Sequence, residues 1–386
     1  MIKSKLVFKV KRDYYGRVKN FKVRLVAKGF TQEEGLDYKE TFSPVAKGES
    51  FRLALAIALR YRMKLRQLDV ETAFRYADLE EDVFMAPPSG IQVPKGYSPK
   101  FLKSLHGLKQ APRNWHNLLK KTILTMGYQQ CVLDQCLFYY KGNGELILIL
   151  AYVDDIIVLS ADSSHIGEVV SSFKAQYTMQ VMGDLECYLG ITIVRDKNVI
   201  KLHHTPYAQN VVSRYSHLLS DKKRRNRTDT PLPPGVKLSK GAEGSKTTRQ
   251  KVYAARFPYQ SVVGALMYLA VHTRPDLSYT VNLLSRFNST PTYGACQAAL
   301  HTLGYLSNTV NQGIIFPNVT EGKSLTVYSD ADWAGDVDTS RSTSKYRVFL
   351  WGAPIGWQSR LQPTVATSTM EAEYMAAFRR LCGYEG

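Results

Sequence analysis

Several things are scarce in this sequence, and each absence excludes something. No apolar run in the 386 residues approaches the ~20 that a membrane-spanning helix needs, which argues against a membrane role. The N-terminus, MIKSKLVFKVKRD, alternates basic and apolar residues and has neither the continuous apolar stretch of a secretory signal nor the serine-rich, acid-poor look of a transit peptide, so an intracellular protein is expected. Cysteines number only five (Cys131, Cys136, Cys187, Cys296, Cys382), scattered and without CxxC or Cys/His spacing, which excludes a disulfide framework and a zinc knuckle. No internal repeat is present. Acidic residues are also in short supply: 33 Asp and Glu against 51 Lys and Arg leave a net charge of +18, which favours a polyanionic partner through counterion release.

What is present is organised. LVFKVKR and FKVRLVAKG read as two strands joined by a turn at Tyr15-Gly16, FRLALAIALRYRM as a helix, and QLDVETAF as a strand leaving it. The second half of KSLHGLKQAPRNWHNLLKKTILTMGY is an amphipathic helix, HIGEVVSSFKAQY is another, and CYLGITIVRD is a strand. This alternation predicts an α+β domain over 1–205. A Lys/Arg-, Pro- and Gly-rich stretch over 220–256 reads as an exposed linker, with a basic run at Lys222, Lys223, Arg224, Arg225 and Arg227. Helical patterns then continue to about 320, and the last section, 321–386, runs strand, strand, helix.

The stretch ILILAYVDDIIVLS places Asp154 and Asp155 inside the most apolar segment of the chain. Burying an ionised carboxylate costs several kcal/mol unless something positive meets it. Neighbouring side chains on a regular strand face opposite ways, so the apolar flanks predict a hairpin bent at Tyr152-Val153-Asp154-Asp155. Without Gly or Asn that turn is strained, and such strain is tolerated mainly at functional sites. Two carboxylates about 4 Å apart repel by ~4 kcal/mol at an effective dielectric near 20, a penalty that bound Mg²⁺ removes. Asp69, at the end of the QLDV strand, supplies a third acid if folding brings it there; spacing alone equally allows Asp69 to cap a turn and the pair to meet Lys or Arg.

The words LVAKGFTQEEGLDYKETFSPVAK, QLDVETAF, DLEEDVFM, SLHGLKQAPRNW, AYVDD, YLGI, TRPDLSYTVNLLSRF, SDADWAG, RSTS and EAEYMA occur in this order over nearly the whole chain. Together they resemble the reverse transcriptase and the start of the RNase H of copia-type long-terminal-repeat retrotransposon Pol polyproteins. The resemblance implies a right-hand polymerase: fingers and an antiparallel palm sheet over 1–205, a helical thumb or connection over 206–320, and an incomplete RNase H-like α/β end over 321–386. It implies RNA-directed DNA polymerisation, with Asp69, Asp154 and Asp155 holding Mg²⁺, or alternatively Mn²⁺. Phe74 matches the aromatic under the incoming sugar, Gln110 the glutamine supporting the nucleotide, and Lys22 and Arg24 fall in the segment that contacts its triphosphate. Leu189 and Gly190 resemble the primer-grip turn, while Asp330 and Glu373 match two RNase H acids. The implied partners are an RNA template, a DNA or tRNA-type primer and dNTPs; the implied location is a cytoplasmic virus-like particle, the nucleus, or both.

The chain also departs from the family pattern. Arg75 and Ala77 stand where Leu and Gly are usual, Gln180 and Val181 replace a charged pair, and Lys345 occupies a Gly position suited to positive φ. Only Glu385 follows Glu373 among the acids, so no RNase H cleavage is expected. Ser368 and Glu371 have the spacing of a capping box. A catalytically decayed fragment that only binds nucleic acid is the alternative to a working polymerase, with a metal-dependent phosphohydrolase a weaker third.

Overall fold

The computed structural model of the protein describes residues 1–12, 17–88, 90–142, 144–219, 229–241, 247–319 and 324–382. The Tyr15-Gly16 turn, the basic run from Lys222 to Arg227, and Glu385 with Gly386 lie outside the described residues. The chain divides into two compact units, one of residues 1–50 and 63–184, the other of residues 51–62 and 185–386. Every pairing between strands is antiparallel, and with the helices this makes an α+β protein.

In the first unit, β1 (Ser4–Arg12) and β2 (Val18–Ala27) form a two-stranded ribbon. Alternation puts Phe8, Phe21 and Val23 on one exposed face and Lys9, Lys22 and Arg24 on the other. Helix α1 (Gly48–Arg60) begins here, although from Phe51 onward it belongs to the second unit. A six-stranded sheet follows in the order β4-β5-β6-β7-β3-β8, built from β3 (Lys64–Val70), β4 (Gln129–Gln130), β5 (Leu137–Gly142), β6 (Glu145–Tyr152), β7 (Asp155–Ser160) and β8 (Met179–Gly183). Helices α2 (Ala111–Thr125) and α3 (Ser163–Lys174) pack on it, closing a core that includes Leu68, Trp115, Ile149, Val158 and Phe173. The unbroken apolar runs of β6 and β7 reflect burial on both faces.

The end of β2 is locked to the loop before α2. Ala27 N donates to the His106 carbonyl at 2.9 Å, and Gly107 adopts φ +97°. A Cβ on Gly107 would collide with the Ala27 carbonyl oxygen, and one on Gly29 with the Gly107 carbonyl oxygen. Only glycine fits at either position of this close backbone approach.

The second unit carries a sheet in the order β12-β11-β10-β9, made of β9 (Cys187–Tyr188), β10 (Ile191–Arg195), β11 (Val199–His203) and β12 (Gly313–Pro317). The CYLGITIVRD segment is thus two strands, not one, because Leu189 and Gly190 both take positive φ and turn the chain back. Helices α4 (Thr205–Arg214), α5 (Thr248–Arg256), α6 (Tyr259–His272), α7 (Ser278–Ser285) and α8 (Tyr293–Asn308) surround a core of Val262, Leu266, Leu284, Leu303 and their neighbours.

Part of the stretch expected to be an exposed linker contributes to that core. Leu238 and Ala254 are buried in it, and α5 starts at a capping box formed by Thr247 and Gln250. Low apolar content hid this, since two or three anchors suffice to dock a short helix. The last section runs strand, strand, strand, helix: β13 (Leu325–Ala331), β14 (Thr343–Leu350), β15 (Ala353–Leu361) and α9 (Thr369–Cys382). The additional strand arises because Trp351 (φ +49°) and Gly352 (φ +77°) form a tight turn that the sequence did not announce. At the start of α9 only half of the expected capping box forms. Glu371 N donates to Ser368 Oγ at 3.1 Å, but the Glu371 carboxylate accepts from Thr367 N and Oγ1.

Candidate active site

The expected hairpin is present, with Tyr152 opposite Asp155 and a two-residue loop of Val153 and Asp154. Val153 has φ +54°, a left-handed conformation that costs an L-residue about 1–2 kcal/mol and is least tolerated by a β-branched one. Trp115, only 1% exposed, holds it there by donating its indole N–H to the Val153 carbonyl at 2.6 Å. The strained turn is therefore fixed from below by α2.

Asp69 reaches the same place. In the β3–β7 register Asp69 lies directly opposite Asp155, and Val70 N donates to the Asp154 carbonyl at 2.9 Å. Backbone pairing thus makes the three acids neighbours, each of them half-buried. Burial raises the Asp155 carboxyl above its ordinary value, and the Asp154 and Asp69 charges add to the rise, while a 3.2 Å hydrogen bond from Gln67 Nε2 opposes it. Among the described residues neither Asp154 nor Asp155 forms an ion pair with Lys or Arg.

The three acids are adjacent through their backbones rather than through close side-chain contact. Among the described residues the group whose potential ligand atoms all lie within 4.8 Å of one another is a different one: Glu145, Asp162 and His165, at the far end of β6 and β7. Helix capping and an ion pair account for that group, since Asp162 accepts from Ser164 N at 2.9 Å and His165 Nε2 lies 3.3 Å from Glu145. Hard carboxylate oxygens near a strained tip, with one member pushed toward protonation by burial and then by its neighbours, fit a divalent cation at the Asp69, Asp154 and Asp155 set.

The charges and aromatics around the acids converge on His106. Burial lowers its pKa, Arg24 and Lys22 lower it further, and Asp154 raises it, so the basic face of the ribbon and the acidic tip act on one imidazole. The His106 ring stands edge-on to Phe74, with centroids 4.7 Å apart. Phe74 lies in a short 3-10 turn, Ala73–Tyr76, entered through Thr72 at φ +54°, and packs partly against the apolar cores on either side. Gln110 is 2% exposed and fully engaged: its carbonyl accepts from Gln32 Nε2 at 2.9 Å, and its amide donates to the Asp37 carbonyl at 2.8 Å. It fastens the 32–37 loop from beneath. Arg75 is exposed on the 3-10 turn and Ala77 is buried, so neither departure from the family pattern strains the fold.

In the second unit, Leu189 (φ +49°) and Gly190 (φ +80°) form the two-residue turn between β9 and β10. Asp330 and Lys345 are paired in register across β13 and β14, and Lys345 Nζ lies 3.2 Å from Asp330 Oδ2. Lys345 sits in a regular strand and is not among the residues with positive φ, so the expected need for glycine there is not met. The same ammonium lies 5.2 Å from the centre of the Tyr279 ring, beside a cavity of about 280 Å³ lined by Tyr279, Tyr328, Asp330, Arg347 and Trp357. Glu373 is exposed on α9. Gln362 ties α9 to β14 by donating to the Ala372 carbonyl and to Ser344 Oγ, and Ser344 is one residue out of phase with Lys345. Asp330 thus shares its face with Lys345 and not with the helix that carries Glu373.

Sequence reasoning left Gln67, His106 and Trp115 without roles. The signal for them lay inside quoted motifs: Gln67 two positions before Asp69, and His106 and Trp115 at either end of HGLKQAPRNW.

Acids at a hairpin tip and a basic ribbon thus belong to one unit, an arrangement chemically able to meet a cation and an anion together. Residues 1–224 match the family described as reverse transcriptase (RNA-dependent DNA polymerase), and the chain belongs to that family. It is 37% identical over 381 residues to the retrovirus-related Pol polyprotein from transposon TNT 1-94 of Nicotiana tabacum, covering 97% of this chain and 28% of that protein. To the Pol polyprotein from transposon RE1 of Arabidopsis thaliana it is 38% identical, over 95% of this chain and 24% of that protein. The chain thus spans about a quarter of the length of these relatives. The putative transposon Ty5-1 protein YCL074W of Saccharomyces cerevisiae is 30% identical and is covered over 98% of its length, with 80% of this chain. These relatives bear out the resemblance to copia-type Pol polyproteins. A solved telomerase from Candida albicans, in complex with a fragment of telomeric RNA, aligns over 80% of this chain and 62% of that one, at 9% identity and a TM-score of 0.24, a likeness too low to carry an argument. Among the described residues no helix is long and apolar enough to cross a membrane.

Proposed function

We propose that the chain is an RNA-directed DNA polymerase that extends a DNA or tRNA-type primer on an RNA template. The primer 3′-oxygen attacks the α-phosphorus of a dNTP; that bond forms as the bond to the bridging oxygen breaks, and pyrophosphate leaves. The observation that carries this reading is the register of Asp69 against Asp155 beside Asp154 at the strained hairpin tip. Asp69, Asp154 and Asp155 would hold two Mg²⁺, or Mn²⁺, which supply charge compensation for the phosphates when bound. Lys22 and Arg24 draw the triphosphate to the ribbon, Phe74 lies under the sugar and excludes a 2′-hydroxyl by its bulk, and Gln110 supports the pocket from below. Leu189 and Gly190 hold the primer end. Template bases are read by pairing, so the protein needs only backbone contacts, in keeping with its net charge of +18.

In this reading 1–205 serve as fingers and palm, 206–320 as thumb or connection, and 321–386 as an RNase H-like end that does not cleave, a reading supported by Asp330 pairing with Lys345 on the sheet face away from the helix of Glu373. Mg²⁺-dependent cutting of the RNA strand in a hybrid by this chain would refute the last point. The test of the polymerase itself is primer extension on an RNA template, comparing the natural chain with Asp154→Asn. Loss of one stabilising group is expected to lower the rate at least ~10²–10³-fold. Equal incorporation by the two proteins would overturn the proposal.

A further inference from the structure

The turn at Leu189 and Gly190 is held by more than its own hairpin. Leucine has no intrinsic preference for φ +49°, and a left-handed residue of this kind persists only where its surroundings impose it. Here the imposing group is Tyr268 on α6, whose hydroxyl donates to the Leu189 carbonyl at 2.8 Å. The hydroxyl is itself fixed, because the Tyr268 ring lies against His272 at 4.5 Å, Tyr207 at 4.7 Å and His204 at 5.1 Å between ring centroids.

His204 completes the support. It is 2% exposed, its Nδ1 pairs with Thr273 Oγ1 at 2.9 Å, and its Nε2 has no hydrogen-bond partner among the described residues. A Cβ built on Gly190 would lie 3.3 Å from the Tyr268 hydroxyl and 4.0 Å from that nitrogen, so the hydroxyl abuts the turn and His204 stands just behind it. A surface hairpin loop needs no such platform to form; a loop that must hold something else in register does.

We propose that Tyr268 and His204 are positioning residues that set the Leu189-Gly190 turn and, through it, the placement of the primer's 3′ end. This rests on the polymerase reading above and adds to it the residues that aim the turn.

The experiment uses the full chain with a primer–template carrying 2-aminopurine at the primer 3′ end, and compares the natural protein with Tyr268→Phe, which keeps the ring and removes the hydroxyl. The expected result is an extension rate about tenfold lower, the scale of loss expected when reacting atoms are slightly misplaced. The KM for dNTP and the affinity for primer–template should stay within about twofold, since neither contact is touched. The 2-aminopurine fluorescence of the complex should rise as the primer end frays. Gly190→Ala, which crowds the same hydroxyl from the other side, should reproduce the effect, and the double variant should be no slower than the slower single one. A wild-type rate with an unchanged fluorescence signal in Tyr268→Phe overturns the inference. If the natural chain binds primer–template and does not extend it, the polymerase reading fails, and the fluorescence comparison alone then decides whether Tyr268 positions the primer end.

Discussion

Among the described residues, two places set an aspartate on one strand opposite a charged residue on the next antiparallel strand, and their electrostatics run in opposite directions. At the β6–β7 tip backbone pairing makes Asp69, Asp154 and Asp155 neighbours, and burial together with the other two charges drives the Asp155 carboxyl upward. Across β13 and β14, Asp330 instead faces Lys345, whose ammonium lies 3.2 Å away and also sits over Tyr279. The first arrangement sets like charges beside one another, while the second sets an acid against a cation. An acidic residue in the right sequence motif therefore says little until its nearest cation is known.

The largest expected contrast comes from removing one acid at each place. Asp69→Asn should lower primer extension by ~10²–10³, as loss of a stabilising group in a reacting site does, while Asp330→Asn should leave the extension rate unchanged. Equal effects in the same assay would erase the distinction.

Next in size is the support under the strained turn. Trp115→Phe removes the indole N–H that satisfies the Val153 carbonyl and leaves that group unpaired beneath the tip, so chemical denaturation should show a loss of about 1–3 kcal/mol. An unchanged denaturation midpoint would mean that the turn holds itself.

A smaller and oppositely signed effect is expected from Asp155→Asn. Because the folded-state value of this carboxyl is raised, the native chain binds the extra proton, and its stability falls as pH climbs from the ordinary carboxylate value through the raised one. Asn removes that loss, so thermal unfolding in chelator should show a higher midpoint at neutral pH and no gain well below the ordinary carboxylate range, although extension is abolished. A midpoint that drops at neutral pH would show that Asp155 is stabilised rather than strained. The smallest change belongs to Lys345→Met: its ion pair is partly exposed, with side-chain exposures of 37% and 62%, and equilibrium unfolding should shift by less than about 1 kcal/mol.

How much of this was legible in the residue order follows from the range of the interactions. The hairpin at Val153-Asp154 could be read because apolar runs on both sides impose it locally, and the strain in it followed from a β-branched residue where glycine or asparagine would be easy. The approach of Asp69 depended on motif resemblance, since nothing in QLDV alone fixes its register against Asp155. Tyr268, Trp115 and His106 stayed silent for a related reason: each acts through a contact between elements far apart in sequence, and an aromatic in an amphipathic helix looks like core whether or not its polar tip is used. The Trp351-Gly352 turn was missed because a tryptophan seldom takes positive φ, and α5 because its few apolar anchors were diluted by charge. Lys345 was read as a glycine replaced, when the strand around it needed no glycine at all.

The interlocked backbones at Gly29 and Gly107 make the chain unusually sensitive at two positions that carry no side chain. A single methyl at either would pry the Lys22 and Arg24 ribbon from the loop carrying His106 while every acid stayed intact. In the polymerase proposed above, these glycines mark where one conservative-looking substitution would disable the chain without altering a single charged residue.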